Sequence, residues 1–97
     1  MDNLYAIFRR NLTTPDELPE IDRRSQAELD RRPDEVRKIR TYVFEEEDGT
    51  LGALCLYEAN NPDAVLDHSR TANIVANEVR RVTAIDVHRA DPPHLTT

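Results

Sequence analysis

Apolar residues along this chain fall into short runs whose spacing predicts six secondary-structure elements. Four runs are typical of strands, because they are short and rich in aliphatic and aromatic residues. They cover residues 4–8, 36–46, 51–58 and 79–87. Two segments, 14–31 and 61–71, instead repeat apolar positions three or four residues apart, as one helix face does. The order βαββαβ predicts a ferredoxin-like α+β fold, in which a four-stranded antiparallel sheet carries two helices on one face.

Both predicted helices begin with a capping residue followed by proline. Thr14 precedes Pro15, and Asn61 precedes Pro62. A side-chain oxygen at the first position accepts from the free N–H groups of the helix, and proline suits the first helical position. Pro19 lies one turn into the first helix and has no N–H to donate, so we expect a kinked or loosened first turn there.

The dipeptide Asp48-Gly49 predicts a two-residue hairpin turn between the second and third strands. The turn fixes the register, because a shift of one residue moves every side chain to the other face. In this register the hairpin pairs Tyr42 with Cys55 and Arg40 with Tyr57. The face under the helices would carry Ile39, Val43, Leu54 and Leu56. The helix-free face would carry Lys38, Arg40, Tyr42, Phe44, Ala53, Cys55 and Tyr57.

An aromatic and basic face without a helix over it predicts a partner. A second copy of the chain would cover it, giving a homodimer, and the space between two such sheets is a candidate site for a small ligand or a metal ion. Arg40 suits an anionic ligand, with the hydroxyls of Tyr42 and Tyr57 as donors; an ion pair between subunits is the alternative. Cys55 is either part of this site or a small buried apolar residue.

His68 is the candidate metal ligand and proton carrier, since imidazole binds metals and titrates near neutral pH. It lies between Asp67 and Arg70 at the edge of the apolar side of the second helix. The alternative interpretation is a residue at the boundary of the core. His88 and His94 lie near the C-terminus without ligand spacing, and we expect both to be exposed to solvent.

Chain length, net charge and cysteine content limit the classes of function that this chain can have. The 97 residues predict one domain over residues 1–90 with a short tail at 91–97. The net charge of −6 argues against nucleic acid as a partner, and no apolar run is long enough for a membrane span. A single cysteine fits a reducing compartment, so a cytoplasmic location is expected.

Several short segments together resemble a known family of small bacterial nickel-binding proteins with a ferredoxin-like fold. These segments are Tyr5, Arg9, Thr14-Pro15-Asp16-Glu17-Leu18, Tyr42-Val43, Cys55-Leu56-Tyr57-Glu58-Ala59 and Asp67-His68-Ser69-Arg70. The resemblance implies a homodimeric α+β barrel and metal binding through histidine, with His68 as the matching position. Lys38 and Arg40 depart from the family's pattern, and two cations on one face favour an anionic ligand over a divalent cation.

Three functions follow as hypotheses. The first is a dimeric binding protein for a transition metal ion such as nickel, or for a small ligand. The alternative is a cofactor-independent enzyme of the dimeric α+β barrel type that acts on a small aromatic or polyketide-like substrate, with His68 as general base and Arg40 stabilising an enolate or carboxylate. The third is an interaction domain that binds partners through its acidic edges.

Overall fold

The computed structural model describes residues 3–95, which form one antiparallel sheet and two helices. The strands are β1 Asn3–Thr13, β2 Val36–Glu45, β3 Leu51–Ala59 and β4 Glu78–Val82, and they lie in the order β2-β3-β1-β4. The helices are α1 Leu18–Arg31 and α2 Pro62–Thr71, with 3-10 turns at Pro15–Glu17 and Pro93–Leu95. The predicted ferredoxin-like βαββαβ arrangement is confirmed. Residues 1, 2, 96 and 97 of the predicted domain and tail lie outside the described residues.

The two helices start differently. At α2 the prediction holds, since the Asn61 side-chain oxygen accepts a hydrogen bond from the Ala64 N–H at 2.9 Å. At α1 the Thr14 side chain makes no capping bond, so the predicted cap is wrong. A 3-10 turn precedes the α-helix instead, and Pro19 follows within its first turn. The expected loosened start of α1 is therefore what the chain forms.

The hydrophobic core lies between the helices and one face of the sheet, here called the covered face. Strand pairing sets Tyr5 opposite Tyr57 and Ile7 opposite Cys55, which places these four side chains side by side. All four are buried, and Leu29 of α1 and Val65 of α2 pack on them. The opposite side of the sheet, here called the open face, carries the alternate residues of each strand.

The β2–β3 hairpin has a three-residue loop, so the predicted two-residue turn is wrong. The Glu46 N–H donates to the Thr50 carbonyl at 2.9 Å, and the Gly49 N–H donates to the Glu46 carbonyl at 3.1 Å. Gly49 has a φ of 85°, the left-handed position that closes such a loop. Compared with the prediction, β3 is shifted by one residue against β2, so that Thr41 lies opposite Cys55.

This shift reverses the faces of β3. Cys55 and Tyr57 lie on the covered face, whereas Leu54 and Leu56 lie on the open face. Arg40, Tyr42 and Phe44 lie on the open face, as predicted. A bulge at Ile39 shifts the register once more, and Lys38 comes to lie opposite Tyr57 on the covered face. The prediction thus has six residues on the wrong face: Lys38, Ala53, Leu54, Cys55, Leu56 and Tyr57.

The last strand is shorter than predicted. It ends at Val82, and Ile85 and Val87 in the following segment are 70% and 72% exposed.

Among the described residues, the longest helix is too short and too polar to cross a bilayer.

Candidate functional site

Arg9 is the central polar residue of the covered face. It follows Tyr5 and Ile7 on the same side of β1 and is only 2% exposed. Its guanidinium donates to the Val75 carbonyl at 2.8 Å and to the Tyr57 hydroxyl at 3.2 Å, and its Nε lies 3.4 Å from the Cys55 sulfur. No carboxylate of residues 3–95 lies within ion-pair distance of Arg9. The covered face therefore holds a buried cation among neutral partners.

The ionisation of this cluster follows from its burial. Burial lowers the pKa of Arg9, but interaction with Tyr57 and Cys55 raises it by more, so the pKa lies above its usual value. Burial, with Cys55 nearby, raises the pKa of the Tyr57 phenol to about 12 even though Arg9 opposes the shift. At neutral pH the cluster thus consists of a charged guanidinium and a neutral phenol.

A cleft opens above this cluster, between the sheet and the first half of α1. It encloses a cavity of about 20 Å³, roughly the space that one water-sized group needs. Its floor is formed by buried residues of the sheet and helix: Arg9, Ser25, Ala53, Cys55 and Tyr57. The buried Thr41 hydroxyl and the Lys38 ammonium, which contacts Ser25, border this floor. The sides and mouth are lined by Leu12, Leu18, Ile21, Asp22, Val43 and Ile74. The cleft is polar at its floor and mostly apolar at its mouth.

Two further polar groups reach the cleft from β2. The Lys38 ammonium donates to the Ser25 hydroxyl at 3.3 Å, which adds a second positive charge. The Thr41 hydroxyl oxygen is buried and has no hydrogen-bond partner within the described part of the chain. A buried hydroxyl without a partner is unfavourable, because it loses its bonds to water. Lys38 and Thr41 thus add a positive charge and a hydroxyl without a partner among residues 3–95 to the lining of the cleft.

His68 is fully buried on α2, not at the edge of the core as predicted. Its Nε2 lies 3.1 Å from the Ser25 carbonyl oxygen, which can only accept, so Nε2 carries the proton and Nδ1 has the free lone pair. Burial lowers the pKa of His68, and the positive charges of Arg9 and Lys38 lower it further, while the bond to Ser25 opposes the shift. The ring packs on Tyr57 at a centroid distance of 5.4 Å.

The surroundings of His68 do not fit a divalent metal ion. Among residues 3–95, no three His, Cys, Asp or Glu side chains come together at one point. The charged groups that act on His68 are cationic, namely Arg9, Lys38 and Arg32. A metal at Nδ1 would therefore lack anionic ligands and would be repelled by its neighbours. His88 and His94 are exposed, as expected.

Arg40 and Tyr42 bind a residue of their own chain. The Tyr42 hydroxyl donates to the Asp91 carboxylate at 3.0 Å and accepts from Arg40 at 2.8 Å. Arg40 also lies 3.2 Å from Asp91. The segment after β4 thus reaches the β2 edge of the open face, and Asp91 occupies the position that the sequence assigned to an anionic ligand.

The structure splits the predicted ligand-binding set into two groups. Arg40 and Tyr42 lie on the open face, and Cys55 and Tyr57 line the cleft on the covered face. Arg9 was missed, because the first strand was ended at Phe8. The alternation of Tyr5, Ile7 and Arg9 is the signal that would have extended that strand and placed Arg9 beside the other two.

Comparisons with known proteins bear on the fold and the family. SCO4226 from Streptomyces coelicolor A3(2) has a similar structure, with a TM-score of 0.64 and 20% identity over 86% of this chain and 99% of that chain. SnoaB, a cofactor-independent oxygenase from Streptomyces nogalater, aligns with a TM-score of 0.50 and 18% identity over 93% of this chain and 100% of that chain. A search of curated proteins gave no match.

Because SCO4226 and SnoaB are at most 20% identical to this chain, the comparison with them shows a shared fold and no more. The family assignment rests on the sequence itself, because residues 5–82 match the family model described as nickel responsive protein SCO4226-like. The matched region covers both helices and the central residues of all four strands. The chain belongs to this family of SCO4226-like nickel responsive proteins.

Proposed function

We propose that this chain forms a homodimeric α+β barrel whose protomers each bind a small organic ligand in the cleft between the sheet and α1. The observation that carries the proposal is the floor of that cleft. Arg9 is buried there without a carboxylate beside it, and the buried Thr41 hydroxyl has no hydrogen-bond partner; both statements refer to residues 3–95. Buried polar groups are normally satisfied, so a buried hydroxyl without a partner calls for one from outside the chain.

The open face supports the homodimer. Phe8, Tyr42 and Phe44 are 36%, 39% and 37% exposed on it, and Leu54 and Leu56 lie between them. Phe44 lies opposite Gly52, where a methyl group would come within 2.5 Å of its ring, so the ring rests directly on the sheet. An exposed apolar face of this kind is typical of an interface. We place Arg40 and Tyr42 in this interface.

The family is described as nickel responsive, and the sequence analysis predicts His68 as the metal ligand. The proposal places an organic molecule in the cleft instead, because cations surround His68 and the described residues gather no donor set around it. The alternative of a cofactor-independent enzyme needs His68 as a base at the substrate. His68 does not line the cleft, and its protonated Nε2 is engaged by Ser25, so we favour a binding role.

Cys55 provides a direct assay for the ligand site. It is the only cysteine of the chain, it is buried, and it lines the cleft. A free thiol also fits the expected cytoplasmic location. The purified protein would be treated with iodoacetamide in the presence of a panel of small aromatic and aliphatic acids, amides and alcohols. We expect some members to slow alkylation of Cys55 at least several-fold in a saturable manner.

Two controls make this assay specific. Alkylation of the protein unfolded in urea reports any direct effect of a compound on the reagent. Calorimetric titration with nickel and zinc of the metal-free protein measures metal binding independently of the thiol. If the whole panel leaves the alkylation rate unchanged while nickel binds one ion per protomer and protects the thiol, the proposed organic ligand is wrong.

The homodimer is tested by one substitution and its matched control. Leu56→Arg puts a charge in the middle of the open face, whereas Leu66→Arg puts the same charge on α2, where Leu66 is already 41% exposed. We expect the first variant to be monomeric and the second to stay dimeric by light scattering. A wild-type protein that is monomeric at micromolar concentration would contradict the proposed dimer.

A further inference from the structure

We infer that the ligand of the cleft is an organic monocarboxylate, held with its carboxylate at Arg9, Lys38 and Thr41 and its apolar part at the mouth. This inference rests on the proposed function, because it names the chemical class of the molecule bound in the same cleft. Three features of the cleft carry it: its charge, its free donors and the change in polarity from floor to mouth.

The floor of the cleft has a positive charge that the described residues do not neutralise. Arg9 and Lys38 both line the cleft, and no carboxylate of residues 3–95 forms an ion pair with either of them. Asp22 is the acidic residue in the lining, and it is exposed at the mouth. The chain has a net charge of −6, so these two cations stand out against an acidic protein. An anion at the floor would neutralise one of them.

The donors at the floor match a carboxylate. A guanidinium has five N–H groups, and residues 3–95 accept three bonds from Arg9. The remaining N–H groups of Arg9, the Lys38 ammonium and the Thr41 hydroxyl can all donate. A planar carboxylate has four lone-pair positions and binds a guanidinium through two parallel bonds. A neutral amide would bring its own N–H groups against these donors.

The mouth of the cleft suits the rest of an organic acid. Leu18, Ile21 and Val43 form it, and Val43 is 47% exposed on β2. The cavity at the floor is about 20 Å³, which has room for about one carboxylate oxygen but not for the rest of the molecule. The body must therefore lie among these apolar side chains, which favours a short aliphatic or aromatic group over a sugar or a phosphate ester.

The experiment compares acids with their neutral amides on the wild-type protein. Benzoate and butyrate are titrated against benzamide and butyramide, both by calorimetry and by protection of Cys55 from iodoacetamide. We expect saturable binding of an acid that is at least about tenfold tighter than that of its amide, since a charge-assisted bidentate pair is replaced by neutral bonds. Protection of Cys55 by the acid that is weakened by substitutions in the cleft places the molecule there.

Variants of the cleft locate the carboxylate. Thr41→Val keeps the shape of the side chain and removes a hydroxyl that lacks a partner, so it should keep or raise the melting temperature while weakening benzoate binding about threefold or more. Lys38→Met removes the only lysine of the chain and should weaken binding about tenfold. Arg37→Met removes an exposed cation of the same strand that does not line the cleft, and it should leave benzoate affinity unchanged.

The outcomes separate this inference from the proposed function. If amides and alcohols protect Cys55 as well as acids do, the cleft binds ligands but the carboxylate assignment is wrong. If acids bind with equal affinity to wild type, Thr41→Val and Lys38→Met, the carboxylate lies elsewhere and the inference is also wrong. If no compound of the panel protects Cys55, the proposed function itself fails.

Discussion

Both faces of the sheet carry an arginine and large apolar residues, but these side chains are buried on the covered face and exposed on the open face. Arg9 on the covered face is 2% exposed and bonds neutral groups, whereas the Arg40 side chain on the open face is 51% exposed and pairs with Asp91. Ile7 is fully buried, and Phe8, the next residue of the same strand, is 36% exposed. Residue type alone therefore does not determine which face a residue lies on. Its position in the strand alternation does, and the helices bury only one of the two faces.

The two faces differ in how strongly a charged side chain on them can interact with another group. In the single protomer water screens Arg40 on the open face, and an exposed ion pair contributes little to stability. On the covered face the low polarity of the surroundings strengthens every interaction of Arg9, so that a ligand meets a stronger field there. This contrast is the physical basis on which we propose that the open face binds a second copy of the chain and the covered face a small molecule.

The largest effect is expected when the buried cation is removed. Arg9→Ala leaves a cavity and takes the donors away from the Tyr57 hydroxyl and the Val75 carbonyl, which should lower the free energy of unfolding by about 4 kcal/mol. Arg40→Ala, the matched change on the open face, should leave it nearly unchanged. Urea denaturation followed by circular dichroism measures both. Equal losses in the two variants would contradict the comparison of the faces.

A pair of neighbouring residues tests the same contrast without charge. Ile7→Ala should lower the free energy of unfolding by about 3 kcal/mol at any protein concentration, because its side chain is completely buried in the protomer. Phe8→Ala should lower it by about 1 kcal/mol. It should also raise the dissociation constant of the proposed dimer, which sedimentation at several concentrations measures. A dimer unaffected by Phe8→Ala would remove Phe8 from the interface.

The sequence was sufficient for the order of elements but not for the faces of β3. Alternation and helical spacing depend on local residues, so the βαββαβ order and the cap at Asn61 were predicted correctly. The face of Cys55 depends on the loop, and Asp48-Gly49 suits a two-residue and a three-residue hairpin. The choice between them follows from packing, because the three-residue loop brings Cys55 and Tyr57 under the helices.

Two other features of the site were beyond sequence reasoning for similar reasons. The bulge at Ile39 moves Lys38 to the covered face, and a single extra residue leaves no distinct mark in the sequence. The contact of Asp91 with Arg40 joins residues far apart in the chain. Their proximity depends on the path of the segment after β4, which no local pattern specifies.

The buried imidazole should make stability depend on pH. The pKa of His68 is lowered from 6.5 by burial and by nearby cations, so the unfolded chain takes up a proton at a higher pH than the folded chain. The stabilisation is complete above pH 6.5 and declines as the pH falls through 6.5 toward the lower folded pKa. Melting temperatures measured from pH 8 to pH 5 should fall for the wild type.

The control for this pH dependence is His68→Gln, which keeps a polar side chain that does not titrate. Its melting temperature should change less between pH 8 and pH 5 than that of the wild type. Glu20 and Glu46 are carboxylates whose pKa is lowered by Arg23 and Arg10, so their contributions are lost only at more acidic pH. A variant as sensitive to pH as the wild type would exclude His68 as the cause.

The smallest effects are expected in the loop that decides which face Cys55 occupies. Gly49→Ala forces a side chain into the left-handed conformation and should lower the free energy of unfolding by about 1 kcal/mol. A methyl group there would meet nothing within 4 Å, so the loss comes from the backbone alone. Glu47→Pro distinguishes the two loops, since Glu47 is the second residue of a turn closed by Glu46 and Gly49.

Proline is favoured at that position of a type I turn, and the described residues include no acceptor for the Glu47 N–H. In the observed three-residue loop Glu47→Pro should therefore leave the melting temperature unchanged or slightly raised. In a two-residue turn Glu47 would be the last residue of β2 and its N–H would face Thr50, so proline would remove a ladder bond and lower the melting temperature. A marked loss of melting temperature in Glu47→Pro would thus support the two-residue turn. In that register Cys55 and Tyr57 lie on the open face, and the proposed ligand site would lie there as well.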